Sequence, residues 1–229
     1  MQPRRAAGRS PRLMRHGNIL RGRIGLNHLL ALDRLANRYF IMRHGHSLAN
    51  QQGIIVSDPA NGCSGFGLSE RGKAQVRDSL QQDKLLDANT IIVSSDFRRA
   101  YESAGIAHEL LNCRSPLESD VRLRERNFGE LELGPDSAYD EVWQRDELDP
   151  DGGFRAVEGV NQVMARVTAL IADCEQRYAQ RSLLLVSHGD ALQILQTAFA
   201  RRDASAHRQL VHLQTAEIRH LLPSPVAAI

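Results

Sequence analysis

Tyr39-Phe40-Ile41-Met42-Arg43-His44-Gly45 decides the reading of this chain. Four consecutive apolar residues end abruptly in a polar triplet, as a strand buried on both faces does when it delivers functional side chains to its C-terminal end. Two more runs repeat the pattern. Thr90-Ile91-Ile92-Val93 ends in Ser94-Ser95-Asp96, and Ser182-Leu183-Leu184-Leu185-Val186 ends in Ser187-His188-Gly189. Helical signals alternate with them. Ser69 can cap a helix to about Leu86 with Glu70 in its first turn, and Ser94 to Asp96 can cap a second from Phe97 to Leu111. Val160, Val163, Met164, Val167, Leu170, Ile171 and Cys174 mark one buried helix face, and a further helix runs from Asp190 to about Ala200. Thr215 to Leu221 reads as a late strand closing the sheet. Strands alternating with helices predict an α/β three-layer sandwich, a mostly parallel sheet with helices on both faces. Ligands of such sheets lie beyond the carboxyl ends of the strands, where His44, the Arg98-Arg99 pair and His188 can converge.

These residue types suit phosphoryl transfer. A neutral imidazole attacks phosphorus when one ring nitrogen carries the lone pair and the other donates its proton to a fixed acceptor, a role open to His44. Charge on a transferred phosphoryl group spreads over its non-bridging oxygens, so fixed cations around it stabilise the transition state. Arg43, Arg99 and His188 are the candidates, with Gly45 and Gly189 letting backbone amides approach the anion. The departing alkoxide needs a proton. Glu125 is the first choice of donor and Asp96 the second, since Asp96 also reads as a helix cap.

Five segments in order carry a resemblance. They are Met42-Arg43-His44-Gly45-His46-Ser47-Leu48-Ala49-Asn50, Leu68-Ser69-Glu70-Arg71-Gly72-Lys73-Ala74-Gln75, Ser94-Ser95-Asp96-Phe97-Arg98-Arg99-Ala100, Leu123-Arg124-Glu125-Arg126-Asn127-Phe128-Gly129 and Val186-Ser187-His188-Gly189. From about Tyr39 to Leu222 the chain resembles the histidine phosphatase superfamily in its phosphoglycerate-mutase-like branch. The resemblance implies that His44 is phosphorylated, that Arg43, Arg99 and His188 bind phosphate, and that Glu125 acts as acid and then as base for water. Ser47 and Asn50 match positions that contact phosphate or substrate, and Arg99 is preferred to Arg98 because the family's arginine directly precedes the alanine. Two departures fall on the substrate side: His46 stands where Glu or Gln is common, and Val160-Asn161 follow Gly159 where the branch often has Glu-Ser.

The tripeptide alone proves little, because Arg15-His16-Gly17 repeats it without a preceding strand. Residues 1–38 hold nine arginines and one acid, Asp33, although the whole 229-residue chain carries a formal charge of only +2. The remainder is therefore acidic, which argues against a nucleic-acid-binding face on a catalytic domain spanning 39–229. The arm reads as a basic extension, either solvated and disordered or a targeting segment, with Leu26, Leu29, Leu30 and Leu32 able to form a short amphipathic helix. Cys63, Cys113 and Cys174 stand far apart, which suits a reducing cytoplasm, and no run of apolar residues is long enough to span a membrane. His46, His108, His207, His212 and His220 show no metal-ligand spacing and read as surface or rim histidines, so neither metal nor cofactor is expected. Loops 51–67 and 129–157 are the expected walls of the leaving-group pocket, the second an irregular cover.

The function expected is hydrolysis of a small phosphomonoester through phosphohistidine at His44. A mutase using the same site is the alternative, disfavoured because the stretch between Glu125 and Glu158 is short for a cover that excludes water. A non-catalytic phosphate-binding module would have no use for Glu125. The sequence leaves the oligomeric state open, a homodimer included.

Overall fold

The apolar run at Tyr39 forms strand β1 (Arg38–Arg43) and lies buried in the middle of a five-stranded sheet. The computed structural model describes residues 26–224, so Arg15-His16-Gly17 lies outside the described residues. After β1 come α1 (Leu48–Gln52), α2 (Pro59–Gly62), α3 (Glu70–Gln82), β2 (Ile91–Ser94), α4 (Arg98–Leu110) and β3 (Glu118–Ser119). The chain continues through α5 (Tyr139–Arg145), α6 (Val160–Arg177), β4 (Ser182–Ser187), α7 (Gly189–Phe199) and β5 (Ile218–Leu221). Strand order is β3-β2-β4-β1-β5, parallel except for β5, which runs antiparallel to β1.

Side chains alternate across the sheet with the period of two that a strand imposes. Tyr39, Ile41, Ile91, Val93, Leu183 and Leu185 pack under α6 and α7. Phe40, Met42, Ile92, Leu184 and Val186 face the other way, against Val76 and Leu80 of α3 and Ala100, Ala104 and Ala107 of α4. The three-layer α/β sandwich expected from the strand–helix alternation is therefore present.

Local chemistry moved several boundaries. The Ser69 hydroxyl does accept the Gly72 N–H at 3.2 Å, but α3 stops at Gln82 because the Asp83 carboxylate takes the Leu85 and Leu86 N–H groups and turns the chain. Asp96 caps nothing. Ser95 Oγ takes the Phe97 N–H at 3.2 Å, and Asp96 turns away to receive Arg124 Nε at 2.8 Å. The cover at 129–156 is not irregular, since it contains α5 and three 3₁₀ turns folded over their own apolar cluster of Ile55, Phe128, Leu131, Val142 and Val157.

Arg126 anchors this cover. At 1% exposure it donates to both oxygens of Asp146 at 2.7 and 2.8 Å, and Asp146 also meets His207 Nε2 at 2.9 Å. His207 is thus a buried core histidine and not a surface one. His220 stacks on Phe40 with ring centroids 4.6 Å apart.

The segment before β1 packs as well. Leu29 and Leu30 lie in a 3₁₀ turn with Leu32 just past it, and not on one amphipathic α-helix with Leu26. This turn, His28–Ala31, buries Leu29 in the α6–α7 core, Asn27 Oδ1 caps it through the Leu29 N–H at 3.1 Å, and Asn27 Nδ2 donates to the Ala198 carbonyl at 3.0 Å. Among the described residues no helix is long and apolar enough to cross a membrane. Leu29→Ala is expected to lower unfolding free energy by about 2–4 kcal/mol in a urea titration, the cost of a large-to-small change in a packed core. A cost under about 0.5 kcal/mol would mark the segment as peripheral to the fold.

Candidate active site

β1 and β4 pair in parallel with Arg43 opposite Ser187, and the ladder continues one residue further as the His44 N–H donates to the Ser187 carbonyl at 2.9 Å. His44 and His188 therefore leave adjacent strand ends together, their ring centroids 5.2 Å apart. Ser95, just past β2, is tied to the same edge by its N–H to the Val186 carbonyl at 2.9 Å.

His44 Nδ1 lies 2.7 Å from the Gly45 carbonyl. A carbonyl only accepts, so Nδ1 carries the proton and Nε2 the lone pair. Arg99 Nε donates to that lone pair at 3.0 Å. Burial first, then the Arg99 and Arg43 guanidinium groups, hold the His44 pKa well below its ordinary value, so the ring is neutral with its lone pair on Nε2.

Four buried nitrogens in this region have no hydrogen-bond partner among the described residues: Arg43 Nε, Arg99 Nη1, His188 Nδ1 and His212 Nδ1. Their neighbours fix the tautomers of the two histidines. Ser95 Oγ accepts the Phe97 N–H, and because its hydroxyl proton has no acceptor among the described residues other than His188 Nε2, at 2.9 Å, it donates there, which leaves the proton of neutral His188 on Nδ1. Arg43 Nη1 likewise donates to His212 Nε2 at 2.9 Å, so His212 Nδ1 is protonated. Buried N–H groups are nearly always paired in proteins, and a cluster of them beside two arginines is a receptor for an anion.

Glu125 stands at the N-terminus of α7. Its oxygens accept the Gly189 N–H at 3.1 Å, the Ala191 N–H at 3.2 Å and the Arg126 N–H at 3.0 Å. Burial and the Asp190 carboxylate raise its pKa above the ordinary glutamate value, outweighing Arg99 and these amides. Asp96 is a different case: its hydrogen bonds to Arg124 hold its carboxyl below the usual range, so it is ionised and carries no proton to give. Asp96 also does not line the cleft.

The cleft has a volume of about 200 Å³ and is lined by Arg43, His44, Ser47, Asn50, Arg99, Glu125 and Gly189 among others. Ser47 is the buried N-cap of α1, and Asn50 Oδ1 takes its N–H and hydroxyl, both at 3.0 Å. The expectation for Gly45 needs correction. Its N–H goes to Ser103 Oγ at 3.1 Å, and it does not line the cleft. A Cβ there would stand 2.4 Å from the Gly72 carbonyl oxygen, so glycine is required because two backbone segments cross, and its contribution to the site is the carbonyl that holds His44.

Several lining residues were not anticipated. Tyr139 and Trp143 of α5 stack with centroids 5.4 Å apart, and Asp136, Asp190 and His212 complete the outer part of the cleft. The spacing of Tyr139 and Trp143, one helical turn, was the available signal, and Asp190 directly follows His188-Gly189. Nothing in the local sequence distinguishes His212 from a rim histidine. Among the described residues no group of three or more His, Cys, Asp or Glu side chains is arranged to hold a metal ion.

Residues 39–225 match the family model described as histidine phosphatase superfamily (branch 1). Relatives include the protein named "Probable phosphoglycerate mutase GpmB" of Enterobacter sp. (strain 638), 32% identical over 176 residues that span 75% of this chain and 78% of that one. Its namesake in Klebsiella pneumoniae subsp. pneumoniae is 31% identical over the same shares of the two chains. Similar solved structures include a mycobacterial glucosyl-3-phosphoglycerate phosphatase in complex with VO3, with TM-score 0.65 and 23% identity, covering 80% of this chain and 90% of that one. The alpha-ribazole phosphatase of Shigella flexneri has TM-score 0.63 and 20% identity, covering 82% and 96%. The two structures support the fold. The family match across the sheet and all five motif segments goes further, and the chain belongs to the histidine phosphatase superfamily, branch 1.

Proposed function

We propose that this chain is a metal-independent phosphatase that hydrolyses a small phosphomonoester through a phosphohistidine at His44. The observation that carries the proposal is the His44 ring, neutral, with Nδ1 held by the Gly45 carbonyl and Nε2 facing the cleft, surrounded by buried N–H groups that lack partners. Arg99 Nε moves from the lone pair onto an oxygen of the arriving phosphoryl group, and Nε2 attacks phosphorus. The ester P–O bond breaks, and Glu125 gives its proton to the departing alkoxide. Arg43, Arg99 and His188 Nδ1–H balance the charge on the non-bridging oxygens, the work that metal ions do in other phosphoryl-transfer sites. Glu125, now ionised, takes a proton from water whose oxygen attacks phosphorus. The P–N bond breaks and phosphate leaves.

The named relatives favour a second reading, a phosphoglycerate-type mutase in which a rebound product hydroxyl replaces water. Isomerisation of phosphoglycerate outpacing phosphate release would select it.

Activity on p-nitrophenyl phosphate is expected to survive EDTA and to vanish in His44→Ala, and retained turnover in that variant would exclude His44 as nucleophile. Glu125→Gln is expected to slow hydrolysis of alkyl phosphates by about 10²–10⁴-fold. Nitrophenolate needs no proton to leave, so the same variant should release a stoichiometric burst of it and then turn over slowly. No burst, with both rates equally reduced, would remove the acid–base role. The pH profile follows the same logic. The acid must be protonated, and a raised Glu125 pKa keeps it so to higher pH, so the first step with alkyl esters should decline as pH rises through a value above the ordinary glutamate range. Single-turnover rates with p-nitrophenyl phosphate should lack that decline.

A further inference from the structure

The cleft is divided by charge. Its two arginines, Arg43 and Arg99, surround His44, and among the described lining residues they are the only cations of fixed charge. Arg43 stands at the boundary between the inner and outer parts of the cleft, its Nη1 already donating to His212 Nε2 at 2.9 Å and to the Leu213 carbonyl at 3.1 Å. The outer part holds carboxylates. Asp190, 4% exposed, accepts Trp143 Nε1–H on its two oxygens at 3.1 and 3.0 Å, and Asp136 stands exposed at the rim.

Nearby cations are committed elsewhere. Arg124 is bound to Asp96, Arg166 to Glu158, and Arg126 to Asp146 at 2.7 Å with Asp190 3.5 Å away on its other side, so Asp190 is partly paired from behind and Asp136 is the exposed charge. Arg208 lies flat on the Trp143 ring, 3.7 Å from its centroid, and does not line the cleft. The remaining surface is apolar or aromatic: Ala49, Ile54 and Val56 on one side, the Tyr139–Trp143 stack on the other.

We infer, on the phosphatase reading above, that the alcohol half of the substrate is an uncharged, hydroxyl-bearing ring of monosaccharide size and not a carboxylic acid. A hydroxyl donates to a carboxylate and accepts from the His212 Nδ1–H, so both kinds of wall group are satisfied by one substituent type. The C–H face of a ring lies against the aromatic stack as an apolar surface does. A substrate carboxylate would meet Asp136 and Asp190, while Arg43, the cation bordering the outer part among the described residues, has its Nη1 already bonded to His212 and the Leu213 carbonyl, and discrimination by like charge is among the stronger forms available to a binding site. The cleft, about 200 Å³, has room for the phosphoryl group and one such ring.

The test compares phosphate release by the full chain from ribose 5-phosphate and glucose 6-phosphate with release from 2- and 3-phosphoglycerate, and p-nitrophenyl phosphate serves as reference. The better sugar phosphate is expected to exceed both phosphoglycerates in kcat/KM by at least about tenfold. Asp136→Lys, a change at an exposed rim position, is expected to move that ratio toward the phosphoglycerates by about tenfold. Turnover of p-nitrophenyl phosphate without a preference for sugar phosphates, or a ratio unmoved by Asp136→Lys, overturns the inference alone. Failure to release phosphate from p-nitrophenyl phosphate overturns the phosphatase reading, and the inference with it.

Discussion

The hydrogen bond from the His44 N–H to the Ser187 carbonyl is the contact on which the site depends. It extends a parallel ladder one residue past the end of β1, so the residues that follow two neighbouring strands emerge side by side at the same edge. Parallel pairing makes this arrangement possible, because only then do both carboxyl ends lie together. Side chains along β1 and β4 alternate strictly between the two helical layers, and a slip of one residue would turn every one of them to the wrong layer. The register that buries the core is thus the register that sets His44 against His188.

Crowding two arginines and two histidines at one buried edge is electrostatically unfavourable, and the histidines resolve it by remaining neutral. Burial and the arginines push His44 and His188 in the same direction, down. Burial has the opposite effect on Glu125, where the neutral form is the protonated one. A single cause, removal from water, therefore keeps a base without its proton and moves a carboxyl toward keeping one. That separation is what a nucleophile and a proton donor acting in one step require. The hydroxyl of Ser95 and the carbonyl of Gly45 complete the preparation by deciding which nitrogen of each ring holds the remaining proton.

The fold was legible because its elements are spelled locally. β1, β2 and β4 read as apolar runs, α6 as a face repeating every three or four residues, and the inner candidate residues sit at or just past strand ends where topology brings them together. The contacts that select between similar residues were not legible. Asp96 and Glu125 are both carboxylates near the same edge. Arg124 takes one out of play, and the amides of α7 bring the other into it. Neither partner is near in sequence to the residue it decides. His207 and His212 looked alike as isolated histidines, yet one pairs with Asp146 in the core and the other with Arg43 in the site, each across a long stretch of chain. Gly45 was legible as a necessary glycine, but its reason is the crossing of Gly72, a steric fact invisible in the tripeptide.

The cover over the leaving-group side of the cleft is held at several points, and this bears on how the site selects substrates. Trp143 hydrogen-bonds Asp190 at the start of α7, and Asp146, just past the end of α5, joins Arg126 and His207. Between them Val142 enters the apolar cluster with Phe128 and Leu131. A buried ion set of this kind adds less to stability than its short distances suggest, since apolar replacement of the whole set is often neutral. Removing Asp146 costs about 3–5 kcal/mol, because the buried Arg126 loses its two-point carboxylate partner. Its strength is therefore directional: α5 has one favourable position, and departure from it strands a charge. The stacked Tyr139 and Trp143 are presented to the cleft from an anchored element and not from a free loop. Selectivity at such a wall comes from a shape and charge pattern present before the substrate arrives, so the energy of binding is available for phosphoryl transfer instead of for ordering the cover.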